Sequence, residues 1–270
     1  MGMRWLSAAL KSWTKRKSKK TMQSYDILAQ YYDELTTDVP YGTFAGFYEE
    51  IFRHYGVSPK TLLDLACGTG SLAEILAKKG YDLICTDISP EMLSVAADKL
   101  SGLANPPLII CQGMEELDLY GTVQGAVCSL DGINYAEPEN LKEIFRRVHM
   151  FLEPGGVFVF DINTPGKLKG LDGQVFIDET DDVFCVWRAS LERELGPHGA
   201  CVYGMDIFCR DGDMWDRFLE EHTEYIYEPE ELGKLMEGVG FSEVKVFGEF
   251  TLNPPKEGGE RVFLAGKCCK

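Results

Sequence analysis

Hydrophobic and polar positions follow two different periods along most of the chain. Short apolar runs of the kind found in buried strands occur five times, at residues 61–66, 82–88, 108–112, 125–130 and 156–162. Between several of these runs, apolar residues recur at helical spacing, at 71–79, 90–100 and 139–152. This alternation of strand and helix predicts a parallel sheet with helices on both faces.

The pattern changes after the fifth apolar run. Strand-like runs follow at 183–189, 200–210 and 215–227, and the turn signals GPHG and RDGD separate them. Strands joined by such short turns predict an antiparallel meander and not a series of helical crossovers. A helix over EPEELGKLMEGVG and two closing strands, SEVKVFGEF and RVFLAGKC, complete the chain.

Two more helices are predicted before the first strand, at 25–35 and 44–55, with residues 38–42 between them. Together the elements predict an α/β fold: a doubly wound, Rossmann-like, mostly parallel seven-stranded sheet with an antiparallel last strand and a small antiparallel β insert. We expect four parts along the chain: a basic N-terminal extension (1–22), the first part of the core (23–164), the antiparallel lid or insert (165–227), and the last helix and strands of the core (228–270).

Charge is unevenly distributed between the extension and the rest of the chain. The net charge is −16, yet residues 1–20 contain seven Lys or Arg and no acidic residue, so all 43 acidic residues follow them. An acidic body repels a phosphate backbone, which argues against nucleic acid as the substrate. The extension also carries apolar residues such as Trp5 and Trp13. It fits either a basic amphipathic surface or membrane-interface element, or a disordered extension before Met22.

Bulk composition narrows the class further. A chain of 270 residues that is 45% hydrophobic suits one large domain, or one domain with an insert. We expect no membrane span, because no apolar run approaches the roughly 18 residues that a helix needs to cross a bilayer. The nine cysteines form no C-x-x-C pair. They are expected to be free thiols of a cytoplasmic protein, and the sequence contains no motif that predicts a metal site.

The stretch LLDLACGTG at 62–70 joins a predicted buried strand to a predicted helix through small residues. Glycine permits positive φ and lets the backbone approach a ligand, and the helix start offers free N–H groups. The residues that follow complete a G-x-G-x-x-A pattern, which also occurs in nicotinamide-binding turns. The loop therefore predicts a nucleotide-like cofactor without deciding which one.

Two carboxylates lie near this loop, and the first of them favours a cofactor without phosphate, whereas the second suits any cofactor that contains a ribose. Asp64 precedes the glycines, where it suits an ammonium or hydroxyl group and repels a pyrophosphate. Asp87 ends the next predicted strand, where an acid accepts hydrogen bonds from ribose hydroxyls. Each has a structural alternative: Asp64 as a cap of the glycine turn, and Asp87 as an acid favoured by the dipole of the next helix.

The runs LLDLACGTG, TDISPEML, CQGMEELDL, LDGINY and LEPGGVFVFDINTP together resemble the class I S-adenosylmethionine-dependent methyltransferases. The segment YDILAQYYDEL at 25–35 resembles the N-terminal motif of a bacterial, small-molecule-type branch, which also has an antiparallel insert before the last helix. The resemblance covers about residues 23–267. Its motifs are specific for the cofactor and uninformative about the substrate. Ala66 departs from the pattern, because many members have the first glycine of the loop there.

The resemblance implies S-adenosylmethionine as the cofactor and assigns residues to it. Asp64, Ala66, Gly68 and Gly70 would surround the methionine portion, and Asp87 would hold the ribose. The other implied residues would contact the adenine or cover the cofactor: Ile88, Met92, Met114, Glu115, Leu130, Asp131, Tyr25 and Tyr32. Of these, the two methionines are equally compatible with plain core positions, and Asp131 with a turn.

The acceptor site is predicted at the insert, whose last strand-like run alternates faces with period two. Arg217 would orient an anionic or polar acceptor, and His222 or Tyr135 would take its proton; alternatively, Arg217 and Glu221 pair with each other. The predicted function is transfer of a methyl group from S-adenosylmethionine to an oxygen or nitrogen of a small molecule. Two alternatives remain: a tRNA or other nucleic-acid methyltransferase, and a nicotinamide- or other cofactor-binding Rossmann protein without transferase activity.

Overall fold

The structure, a computed structural model, describes residue 25 and residues 27–270, so the predicted extension 1–22 lies outside the described residues. Within this described part of the chain two helices precede the sheet, α1 (Leu28–Leu35) and α2 (Tyr41–His54). The second begins earlier than predicted because Pro40, whose ring restricts its φ (here −82°), directly precedes the first helical turn. Tyr41 therefore lies in α2 and not in the predicted linker.

Five parallel strands form most of the central sheet: β1 (Thr61–Leu65), β2 (Asp82–Asp87), β3 (Leu108–Cys111), β4 (Val123–Cys128) and β5 (Leu152–Asn163). Three helices lie between them: α3 (Ser71–Lys78), α4 (Pro90–Leu100) and α5 (Leu141–Phe151). The strands are apolar along their length because helices cover both faces of the sheet, which gives two buried layers.

The insert follows β5. A short helix, α6 (Pro165–Gly170), leads into a separate antiparallel sheet with the strands in chain order: β6 (Val175–Glu179), β7 (Val183–Glu192), β8 (Ala200–Asp211) and β9 (Met214–Tyr225). Four strands are present where three runs were predicted. The additional strand, β6, is an edge strand whose residues are almost all exposed, so it lacks the alternation that identified the others.

The chain then returns to the central sheet through α7 (Pro229–Gly238), β10 (Phe241–Gly248) and β11 (Arg261–Cys268). The full order is β10-β11-β5-β4-β1-β2-β3, and β11 runs antiparallel to both of its neighbours. The predicted fold class is thereby confirmed, including the antiparallel last strand and the antiparallel insert. Among residues 27–270, no helix is both long and apolar enough to cross a membrane.

One face of the insert sheet packs onto helix α1. The contact is made by Leu28 of the helix and by apolar side chains of the insert that include Val183, Met205 and Ile207. This packing brings the insert over the N-terminal helix. We call the face that contacts α1 the inner face and the opposite one the outer face.

Candidate active site

The loop after β1 is built from left-handed backbone. Ala66, Gly68 and Gly70 have φ of 57°, 55° and 75°. A Cβ on Gly70 would lie 2.9 Å from the side chain of Leu100, so only glycine lets the loop approach α4 this closely. A Cβ on Gly68 would meet nothing within 4 Å, so this glycine borders open space. The loop is therefore packed against the protein on one side and open on the other.

Asp64 lies at the base of this loop and is almost fully buried. One of its carboxylate oxygens, Oδ2, has no hydrogen-bond partner among the residues that the structure describes. Burial, together with the negative charge of Asp87, raises the pKa of Asp64 to about 7. A buried acceptor without a donor is costly, so this position fits a ligand that brings a donor, such as an ammonium group.

Asp87 fastens the same loop. Its carboxylate accepts hydrogen bonds from the N–H of Gly68 at 2.8 Å and from the N–H of Ser89 at 2.9 Å. Burial raises the pKa of Asp87, and these N–H donors offset only part of that shift. The cap of α4 is Ser89, whose hydroxyl accepts from the N–H of Met92 at 3.1 Å. Asp87 therefore links the loop after β1 to the loop after β2, while Ser89 caps α4.

Beyond β2 and β3 lie the residues assigned to the adenine. The side chain of Ile88 is 70% exposed, and that of Met92 is buried. Met114 and Glu115 begin a short 3₁₀ helix (Met114–Glu116) and are both partly buried. An exposed apolar side chain beside the loop suits a flat aromatic ligand, whereas the buried position of Met92 also suits plain core packing.

Leu130 and Asp131, at the end of β4, adopt left-handed backbone with φ of 53° and 55°. Their N–H groups donate to the buried carboxylate of Asp161, each at 3.0 Å. Arg261 bridges Asp161 and Asp131, and its distance to the latter is 2.8 Å. Sequence reasoning did not identify Asp161 and Arg261, although their hydrogen bonds hold this unusual backbone in place.

Three aromatic side chains meet between the sheet, the insert and the chain around Tyr25 and the start of α1, which we call the N-terminal segment. The ring of Tyr25 lies 4.5 Å from that of His222 and 6.1 Å from that of Tyr135, and Tyr135 lies 6.4 Å from His222 (centroid distances). We call Tyr25, Tyr135 and His222 the aromatic cluster. Tyr32 borders it, 6.1 Å from Tyr25. Burial raises the pKa of both cluster tyrosines, so their hydroxyls stay protonated.

Glu220 attaches the N-terminal segment to the insert. Its carboxylate accepts hydrogen bonds from the N–H groups of Tyr25, Ile27 and Leu28 at 2.9, 2.7 and 3.0 Å. It also contacts Nε2 of His222 at 3.1 Å. Burial alone would raise the pKa of Glu220, but these four partners outweigh it and hold the pKa below its ordinary value. Glu220 thus acts as a remote N-cap for α1.

The structure does not bring Arg217 to the aromatic cluster. Arg217 lies on the outer face of β9, and its guanidinium pairs with the buried carboxylate of Asp206, which Arg188 also contacts. The sequence correctly separated Arg217 from His222 by face, but it placed both at the acceptor. The role of Arg217 at the acceptor stays a prediction, and its guanidinium is engaged with Asp206 on the outer face.

A buried polar network lies beside the aromatic cluster at the carboxyl end of β5. The amide of Asn163 donates to Glu224 at 2.8 Å, while its Oδ1 accepts from Lys167 at 2.8 Å. The backbone N–H of Asn163 donates to Asn134 at 3.0 Å. Asn134 belongs to the 3₁₀ helix Gly132–Tyr135, which also carries Tyr135. This network joins the carboxyl end of β5 to strand β9 of the insert.

The sheet order, the open glycine loop and the pair of buried acids define a class. The carboxylates of Asp64 and Asp87 lie where a phosphate-containing dinucleotide would need hydrogen-bond donors. Strand β11 runs antiparallel to its neighbours. These features are those of an S-adenosylmethionine-dependent methyltransferase.

Comparison with known proteins agrees. Residues 62–156 match the model of the "Methyltransferase domain" family. The chain is 30% identical over 249 residues to the "Putative methyltransferase YqeM" of Bacillus subtilis, covering 91% of this chain and 98% of the relative.

Solved structures give the same result. An S-adenosylmethionine-dependent methyltransferase from Clostridium acetobutylicum is 31% identical, superposes with a TM-score of 0.80, and is matched over 91% of this chain and 99% of its own. The S-adenosylmethionine-bound CalS10 of Micromonospora echinaspora, an amino pentose methyltransferase, shares the fold at 20% identity and a TM-score of 0.68, over 93% of this chain and 99% of its own. The chain belongs to the S-adenosylmethionine-dependent methyltransferases, and the nicotinamide alternative is wrong.

Proposed function

We propose that the enzyme transfers the methyl group to an oxygen or nitrogen of a small molecule, bound between the carboxyl ends of β4 and β5 and the inner face of the insert. The observation that carries the proposal is the aromatic cluster, in which Tyr25, Tyr135 and His222 come from three separate parts of the chain. Open α/β sheets bind ligands at the carboxyl ends of their strands, and the insert covers that edge.

The cofactor is assigned to the edge formed by β1, β2 and β4. Asp64 receives the amino group, Asp87 the ribose, and the left-handed loop with Ala66, Gly68 and Gly70 lies against the methionine portion. Ile88, Met114 and Glu115 border the adenine, while Leu130, Asp131, Tyr25 and Tyr32 close the pocket. The unpartnered oxygen of Asp64 and the open side of Gly68 support this placement. When bound, S-adenosylmethionine supplies a methyl group already activated by its sulfonium.

The protein therefore has to align the acceptor, exclude water and accept a proton where one is released. Tyr25 and Tyr135 provide apolar ring surface with a hydroxyl at the end, which suits a small polar ring system. His222, whose Nε2 contacts Glu220 and whose ring packs on Tyr25, would hold or relay a proton at the acceptor. Arg217 has no part in this proposal, because it lies on the outer face.

Two lines of support favour a small molecule over a nucleic acid. The sugar N-methyltransferase KedS8 of Streptoalloteichus, matched over 89% of this chain and 92% of its own, shares the fold at 20% identity and a TM-score of 0.72. The net charge of −16 disfavours a polyanionic substrate.

The test supplies purified enzyme and labelled S-adenosylmethionine with two fractions of one bacterial lysate, low-molecular-weight metabolites and total RNA. We expect label in the metabolite fraction, and a product heavier by one methylene unit. His222→Ala should lower the label transferred while binding S-adenosylhomocysteine as wild type does. Label confined to RNA would overturn the proposal.

A further inference from the structure

The inner face of β9 presents three polar side chains in succession. Glu220, His222 and Glu224 alternate with outward residues and are all buried. Glu220 is committed to the N-terminal segment, and His222 belongs to the aromatic cluster. Glu224 follows His222 by two residues, about 7 Å further along the strand, toward the sheet edge. A carboxylate therefore lies on the same surface as the proposed acceptor site.

The side chain of Glu224 is held in place, but its neighbours offset only part of the cost of its negative charge. It is 4% exposed and accepts a hydrogen bond from the amide of Asn163 at 2.8 Å. Burial raises the pKa of Glu224, and the negative charge of Asp131 adds to the shift. The hydrogen bonds from Asn163 and Tyr203 and the charge of Lys167 offset only part of it. The result is a fixed carboxylate that takes up a proton readily.

The cationic side chains near the aromatic cluster, Lys167 and Arg261, already bind other groups of the protein. Lys167 donates to Asn163 at 2.8 Å, and Arg261 bridges Asp131 and Asp161. Arg261 therefore neutralises Asp131, whereas no ion pair among the described residues involves Glu224. The carboxylate of Glu224 gives this side of the aromatic cluster negative potential, which repels a carboxylate or phosphate and attracts a cation. Aromatic faces such as those of Tyr25 and Tyr135 favour a cation as well.

We propose that the methyl acceptor is an amine, and that Glu224 pairs with its ammonium form and receives the proton that must leave before methyl transfer. The inference rests on the function proposed above and narrows its acceptor from oxygen or nitrogen to nitrogen. Glu224 is then a catalytic residue in contact with the acceptor, and Asn163 is a positioning residue that fixes its carboxylate.

The step balances without a further reactant. The bound ammonium gives one proton to Glu224 and becomes a neutral amine with a free electron pair. That pair forms the new N–C bond to the methyl carbon as the C–S bond breaks, and the electron pair of the broken bond stays on sulfur. The products are a methylated ammonium, S-adenosylhomocysteine and protonated Glu224.

The experiment compares three probes of equal ring size on the full-length enzyme saturated with S-adenosylhomocysteine: cyclohexylamine, cyclohexanol and cyclohexanecarboxylate. Kd values come from ligand-observed NMR titrations. An ion pair in this site should make the amine bind about tenfold tighter than the alcohol, with the carboxylate weakest. Glu224→Gln should abolish the preference for the amine. Glu221→Gln, on the outer face of the same strand, should keep it.

The outcomes separate the two proposals. The amine assignment is overturned if the alcohol or carboxylate binds as well as the amine, if the amine does not bind up to its solubility limit, or if Glu224→Gln keeps the preference. If the variant does not fold, the ranking of the three probes on wild type decides alone. Wild type that does not bind S-adenosylhomocysteine would instead remove the proposed function itself. Methylation of an alcohol in the lysate assay would leave that function standing and remove only the amine.

Discussion

The half of the site proposed for the cofactor and the half proposed for the acceptor, called below the cofactor half and the acceptor half, are built in different ways. In the cofactor half, Asp64, Gly68 and Asp87 lie within a short stretch of chain, on one strand–loop–helix unit and the strand after it. In the acceptor half, Tyr25, Tyr135 and His222 come from three distant segments that meet only in the folded molecule. Local backbone geometry creates the first site, whereas tertiary packing creates the second.

The halves also differ in how their polar atoms are satisfied. Asp64 keeps an unpartnered buried oxygen, so the cofactor half is incomplete without a ligand. In the acceptor half, Asn163 uses its N–H, its amide and its carbonyl oxygen within the protein. The acceptor half is therefore preorganised, and its specificity depends on charge and ring surface more than on unpaired donors.

The largest expected effect breaks the cofactor half alone. Asp87→Ala removes the proposed ribose contacts and the acceptor for the N–H groups of Gly68 and Ser89. Two charge-assisted hydrogen bonds are worth about 3 kcal/mol or more, so Kd for S-adenosylhomocysteine should rise by at least about 100-fold in calorimetry. The exposed Asp98→Ala on α4 is the matched control and should bind normally. An unchanged affinity for Asp87→Ala would remove the ribose assignment.

The next largest effect is expected on stability, from a substitution that weakens the contact between the insert and the N-terminal segment. Glu220→Gln halves the acceptor oxygens available to Tyr25, Ile27 and Leu28, so the free energy of unfolding should fall by about 2 kcal/mol. Hydrogen exchange at these amides should accelerate, while Glu221→Gln leaves it unchanged. Exchange that stays slow in Glu220→Gln would show that other contacts hold the segment.

The sign of the pH dependence follows from the lowered pKa of Glu220. A carboxyl that is more acidic in the folded state stabilises the protein above its unfolded pKa, ordinarily 4.5, and this stabilisation is lost as the pH falls through the folded value. Wild type should therefore lose more stability than Glu220→Gln on acidification below about pH 4.5.

A smaller effect sharpens the role of Asp64. Its pKa of about 7 means that the ligand-free protein holds a proton there below neutral pH, and an ammonium group in contact with the carboxylate requires that proton to leave. Affinity for S-adenosylhomocysteine should rise up to about tenfold per pH unit below pH 7 and level off above it. Asp64→Asn should flatten this profile. A flat profile in wild type would contradict the ammonium contact.

The smallest effect is expected on the outer face. In Arg217→Ala, Arg188 still pairs with Asp206, and Arg217 itself is largely exposed. The loss in stability should therefore stay within about 1 kcal/mol. Binding of S-adenosylhomocysteine and methyl transfer to the lysate metabolites should match wild type. A strong loss of transfer by a stable Arg217→Ala protein would return this residue to the acceptor site.

The fold could be predicted from the sequence because the hydrophobic positions of each core element repeat with the period of a helix or of a strand. The run at 61–66 became β1, and the insert strands other than β6 were found from alternation. The acids proposed for the cofactor could be singled out for the same reason, since Asp64 and Asp87 are adjacent to a local glycine motif. Glu220 could not be assigned in this way, because its partners lie 192–195 residues away in the sequence.

The choice of inner face on β9 shows where prediction from the local sequence pattern fails. Period two places Trp215, Arg217 and Leu219 on one face and Phe218, Glu220 and His222 on the other. Apolar content alone would turn Trp215 and Leu219 inward, yet both are more than 40% exposed. The polar face is buried because the N-terminal segment supplies N–H donors and a tyrosine ring that no local pattern reveals.

The tie between Glu220 and the start of α1 sets an order in time for a chain made on the ribosome. Tyr25 and Leu28 emerge early, but the carboxylate that caps them is 195 and 192 residues further on. The strand–loop–helix unit around Gly68 is complete long before that point, since domains form from their N-terminal side during synthesis. A nascent chain can thus assemble the glycine loop first, and it acquires the contact between Glu220 and the start of α1 only when translation has passed β9.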